Sequence, residues 1–108
     1  MTAAVLYGRE DLKIETVGVP QFGDDDALVR VKVALTDGTD LKVWKQGYHA
    51  RMIQPPAVFG HELSGVVEAL GRNVNGGTDA SVRVGMRVVP SNSAPCGVCV
   101  FCRKNNEN

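Results

Sequence analysis

Ala27-Leu28-Val29-Arg30-Val31-Lys32-Val33-Ala34-Leu35 is the stretch that decides the fold. Side chains alternate across a strand. Arg30 and Lys32 therefore fall on one face, and Val29, Val31 and Val33 on the other. Upstream, Ala3 to Tyr7 is a short apolar run stopped by Gly8. Leu12 and Ile14 then alternate with Lys13 and Glu15, as in a half-buried strand. Gly18 and Pro20 punctuate the chain, and Gly23-Asp24-Asp25-Asp26 reads as a turn or loop. Downstream, Asp40 to Lys45 fits one or two helical turns ending at Gly47. Tyr48 to Pro56 reads as loop, because Pro55-Pro56 removes two backbone donors. Glu62 to Leu70 is β-rich around Gly65, and Met86 to Pro90 is a further strand. Asn73 to Ser81, with Gly76-Gly77 in its middle, reads as an exposed polar loop. The expectation is a mainly β domain, a compact barrel with one short helix.

Composition narrows the function. A chain of 108 residues has the length of one domain. Its 44% hydrophobic residues suffice for a core, and 22% charged residues of mixed sign do not suggest disorder. Twelve basic and twelve acidic residues cancel, so nothing recommends nucleic acid as a partner, which needs a clustered basic face. No run is long enough for a membrane helix, and Met1 to Tyr7 lacks a signal-peptide pattern. Three closely spaced cysteines fit a reducing compartment better than a disulfide framework, so the cytoplasm is expected.

Three segments carry chemistry. Cys96-Gly-Val-Cys99-Val-Phe-Cys102 spaces its thiols so that a curling backbone can aim all three at one tetrahedral ion. A disulfide between neighbours would close a very small ring and leave one thiol over. An iron–sulfur cluster is the competing reading, but the position of its fourth cysteine is Asn106 and no proline follows. Three inert loop cysteines are the plain alternative. The second segment is Gly60-His61-Glu62-Leu63-Ser64-Gly65. Here an acid directly follows a lone histidine, and the flanking glycines let the backbone bend and approach closely. It is not a zincin motif, because Gly65 stands where a second histidine would be. The third segment, Asp37-Gly38-Thr39-Asp40, consists of turn formers and taken alone reads as a turn.

In this order the three segments resemble the zinc-containing alcohol dehydrogenases of the medium-chain dehydrogenase/reductase superfamily. Gly60, His61, Glu62, Gly65, Gly71 and Val74 match the fixed points of that family's G-H-E signature. Asp37-Gly38-Thr39-Asp40 stands where the family has C-G-T-D followed by a short helix. Cys96, Cys99 and Cys102 match three cysteines of the family's structural-zinc lobe, and the fourth would fall two positions past Asn108. The resemblance covers nearly the whole chain. It implies that residues 1–108 are a GroES-like catalytic domain, a partly open β barrel with a short helix and a cysteine-rich loop. No G-x-G-x-x-G follows a strand, so the nucleotide-binding Rossmann domain is expected to lie outside these residues.

The resemblance also assigns roles. It implies that Asp37 and His61 bind a catalytic zinc, with Glu62 as a direct or water-bridged ligand. Thr39 would remove the substrate proton and Asp40 would orient His61. Cys96, Cys99 and Cys102 would hold a structural zinc. Asp37 departs from the usual cysteine, an oxygen donor being harder than sulfur. Some sugar dehydrogenases of the family share that replacement. Lys42 stands where many members have a relay histidine, and Met86 sits in the run where G-D-R-V is common. Trp44 and Tyr48 either wall a substrate pocket or pack the helix and loop. The implied activity is zinc-dependent, NAD(P)-linked oxidation of an alcohol, polyol or sugar by a homo-oligomeric parent, the chain alone being inactive. The alternative is a stand-alone, non-catalytic zinc-binding or partner-binding β module.

Overall fold

The computed structural model describes residues 1–74, 82–91 and 95–105. The strands are β1 (Thr2–Gly8), β2 (Asp11–Thr16), β3 (Ala27–Leu35), β4 (Ala57–Val58), β5 (Glu62–Leu70) and β6 (Arg87–Val88). Among the described residues one α-helix, α1 (Gly38–Gln46), follows β3, and a 3-10 turn covers Cys102–Lys104. The strands form two antiparallel sheets of three, ordered β2-β1-β4 and β3-β5-β6. The domain is mainly β and its sheets stay open. The compact barrel suggested by the strand count is therefore corrected to the partly open form. The Cα radius of gyration is 15.9 Å, against about 13 Å for a compact domain of this length.

The expected strand over Met86 to Pro90 shrinks to Arg87–Val88. The polar loop expected over Asn73 to Ser81 lies mostly outside the described residues.

The face assignment in β3 also needs correction. Val31 pairs with Gly65 and Val33 with Ser64, so Lys32 is left over as a bulge. Cross-strand partners share a face, and neighbours on β5 do not. The bulge therefore sends Val31 and Val33 to opposite faces. Val31 remains 50% exposed and Val33 53% exposed. Val31 faces a glycine that offers no side chain to cover it.

The buried apolar side chains among the described residues are Val5, Leu6, Val43 and Val67. Val5 and Leu6 lie on β1, Val43 on α1, and the helix packs on that strand. The amide of Glu10, in the β1–β2 turn, donates to the carbonyl of Trp44 at 2.9 Å. Gly47 ends α1 at φ +86°, and a Cβ there would come within 2.4 Å of the Arg9 nitrogen. Only glycine satisfies both the left-handed turn and that approach. The hairpin turn and the helix end are thereby locked together.

Candidate metal centre

Pairing of Leu35 with Glu62 places the end of β3 beside the start of β5. Asp37 lies two residues beyond Leu35, and His61 lies one residue before Glu62. Strand register therefore brings two distant segments to the same edge of the sheet.

Asp37 is the N-cap of α1. Its Oδ1 accepts the amides of Thr39 at 2.8 Å and Asp40 at 3.0 Å. The amide of Asp37 donates back to Asp40 Oδ2 at 3.0 Å, completing a capping box. The helix consequently begins at Gly38, two residues before its expected start. The turn read over Asp37 to Asp40 is a helix start.

Asp40 is 3% exposed, yet both of its oxygens are engaged. Oδ2 holds the cap, and Oδ1 lies 3.0 Å from His61 Nδ1. A carboxylate only accepts, so Nδ1 carries a proton, and in the neutral ring Nε2 is the nitrogen left with a lone pair. Asp37 Oδ2, unused by the cap, lies 3.8 Å from that Nε2. Ligand atoms of Asp37, Asp40 and His61 all fall within 4.8 Å of one another.

A tetrahedral site with bonds of about 2.05 Å has edges of about 3.3 Å, so closure by a few tenths of an ångström brings Asp37 and His61 onto one ion. The Asp40 amide foremost, then the amide and hydroxyl of Thr39 and the imidazole of His61, hold the Asp37 carboxyl below its ordinary value against partial desolvation. Asp37 is therefore an anion at neutral pH, as a metal ligand must be. Glu62 heads β5 and is not part of this cluster; it lines a groove with Val33, Leu35 and Val89.

The cysteines meet in the same way. Cys99 Sγ lies 3.4 Å and Cys96 Sγ 3.8 Å from Cys102 Sγ. A tetrahedral ion with bonds of about 2.3 Å sets sulfurs about 3.8 Å apart, so the triad fits zinc. All three are free thiols. Amides of Val98 and Cys99 point at Cys96 Sγ, the latter at 3.3 Å, and with the neighbouring thiols lower its pKa to about 7. Cys99 is also lowered, chiefly by the amide of Cys102.

A cleft of about 440 Å³ runs along α1 from Gly38 to Gln46. Its lining includes Thr39, Lys42, Gln46, Tyr48 and His49. Tyr48 lines this cleft, while Trp44 is half-buried on the helix and does not line it.

The match to the Alcohol dehydrogenase GroES-like domain model runs over residues 23–108. This chain belongs to that family. A sorbitol dehydrogenase of Bombyx mori is 36% identical over 107 residues, spanning 98% of this chain and 29% of its own length. An L-threonine 3-dehydrogenase of Caldanaerobacter subterraneus is 38% identical over 109 residues, spanning 98% and 30%. A cobalt- and zinc-bound thermostable alcohol dehydrogenase from Pyrobaculum aerophilum superposes with a TM-score of 0.80 at 32% identity, covering 99% of this chain and 31% of its own. The chain spans about three tenths of the length of the curated relatives it matches.

Within this alcohol dehydrogenase domain, sequence reasoning passed over His49. Its amide donates to the Ile53 carbonyl at 2.9 Å, and its Nδ1 accepts the Arg51 amide at 3.4 Å. No local motif surrounds it, and only the loop geometry that turns it toward the cleft gives it away. Among the described residues no helix is long and apolar enough to cross a membrane.

Proposed function

We propose that residues 1–108 form the catalytic-domain portion of a zinc-dependent, NAD(P)-linked dehydrogenase acting on an alcohol, polyol or sugar in the cytoplasm. The observation that carries this reading is the convergence of Asp37 Oδ2 and His61 Nε2, each held in place by Asp40. Zinc bound there would act as a Lewis acid on the substrate hydroxyl. Oxidation of the alcohol carbon releases a hydride to the nicotinamide and a proton to the protein.

The chain's own residues handle the rest. Asp37 supplies a harder oxygen donor where sulfur is usual, and its helix cap fixes the direction of that donor. Asp40 fixes the tautomer and plane of His61, a positioning role. The hydroxyl of Thr39 sits beside Asp37 at the border of the cleft, so it can accept a hydrogen bond from the substrate hydroxyl and pass its own proton on to solvent as the substrate proton arrives. Glu62, outside the cluster, suits a water-bridged role. A catalytic zinc takes three protein ligands, so a third comes from the remainder of the parent, as does the dinucleotide site. Cys96, Cys99 and Cys102 hold a structural zinc that shapes their loop.

Incubating the 108-residue chain with NAD or NADP and a panel of alcohols and sugars tests the domain assignment. No turnover is expected from the chain and turnover is expected from its parent. Hydride transfer by the chain alone would overturn it.

A further inference from the structure

We infer that the cleft beside α1 receives the remote end of the substrate, and that this end carries an anionic oxygen group, a carboxylate or a phosphate ester. The inference rests on the reading of the chain as the alcohol-binding part of a dehydrogenase. Thr39, Lys42 and Gln46 stand at i, i+3 and i+7 of α1, so they form one polar stripe along the helix. Tyr48 and His49 face that stripe from the loop that follows. No carboxylate is among the lining residues.

Lys42 makes no ion pair with any described residue. Its ammonium is a mobile point charge with three donors. His49 is held by its short bridge to Ile53. Its Nδ1 accepts a backbone amide, so the neutral ring carries its proton on Nε2 and remains a donor. Lys42, Gln46, Tyr48 and His49 thus offer an ammonium, an amide, a phenol and an imidazole N–H, a set that matches a ligand rich in acceptors. The volume, about 440 Å³, suits a small metabolite and lies within the range of about 300–1,000 Å³ typical of such sites. Thr39 borders the cleft two residues from Asp37, so a bound molecule reaches from the candidate metal centre toward Lys42.

The test follows amide and imidazole NMR signals of the labelled chain during titration with lactate, glycerol 3-phosphate and glycerol. A charged probe is expected to shift Thr39 to His49 saturably and to bind at least about tenfold more tightly than glycerol, roughly the value of one charge-assisted contact. The tighter of the two charged probes identifies carboxylate or phosphate. Lys42→Met should abolish the preference and Lys42→Arg should restore most of it. Lys42 is exposed, so neither change threatens the fold. His49→Gln, which keeps a donor, should weaken binding less than Lys42→Met. Equal binding of all three probes, no binding, or a preference that survives Lys42→Met would overturn the inference. The readout requires neither zinc nor nicotinamide. Failure here with zinc still held by Asp37 leaves the dehydrogenase reading standing, whereas success without zinc binding removes that reading alone.

Discussion

Asp37 does two jobs with two oxygens. Oδ1 caps α1, and Oδ2 faces His61. The jobs can be separated by substitution. Asp37→Asn keeps a carbonyl oxygen for the cap, whereas Asp37→Ala removes cap and ligand together. Asp37→Ala is expected to lower the thermal midpoint by about 5 °C, and Asp37→Asn by much less, as measured by circular dichroism. Equal losses would mean that the cap contributes nothing. The same carboxyl has a lowered pKa in the folded chain, so its contribution is full above its ordinary value of 3.8 and is lost as pH falls through the lower folded value. Cys96 gives a second residue-scale expectation. With its pKa lowered to about 7, iodoacetamide should label the metal-free chain with a rate midpoint near that pH. A midpoint near the ordinary thiol value of 9.0 would contradict the amide contacts that stabilise the thiolate.

At the scale of elements, α1 is positioned from both ends. The capping box sets its start, and Gly47 against Arg9 sets its finish. Gly47→Ala combines a positive φ with a Cβ 2.4 Å from the Arg9 nitrogen. It should destabilise the domain by about 1–3 kcal/mol in urea unfolding. A neutral effect would show that the turn and helix are not locked.

The elements also show how much was legible beforehand. The strands over Ala27 to Leu35 and Glu62 to Leu70 were readable because alternation is local. The β3 bulge was not, because Lys32 is displaced by register with β5, which one strand cannot reveal. The helix start was missed because Asp, Gly and Thr form turns and caps alike. The D-x-x-D spacing of Asp37 and Asp40 was the available signal. The cysteine cluster was legible from spacing alone. The pairing of Asp37 with His61 came only from resemblance, since convergence of distant segments depends on sheet register. The resemblance implies Glu62 as a direct or water-bridged ligand, and adjacency to His61 in the sequence does not decide between the two. Strand alternation turns neighbouring side chains apart, and Glu62 is not part of the cluster.

At the scale of the whole molecule, the core among the described residues is thin. Val5, Leu6, Val43 and Val67 carry it, and the open sheets leave Leu35, Val89 and Phe101 largely exposed. Little buried apolar area means that ligands binding only the folded state count heavily. Zinc at about a hundredfold above its dissociation constant should raise the thermal midpoint on the order of 10 °C, and a chelator should reverse the gain. A midpoint indifferent to zinc would contradict the metal assignments.

The most direct measurement is zinc stoichiometry after equilibrium dialysis, by elemental analysis of the parent protein, where the third ligand is expected, and of its Asp37→Asn variant, which preserves the helix cap. The variant is expected to lose the equivalent held by Asp37 and His61 and to keep the one held by Cys96, Cys99 and Cys102. The same zinc content in both proteins would contradict it, leaving Asp37 as a helix cap and nothing more.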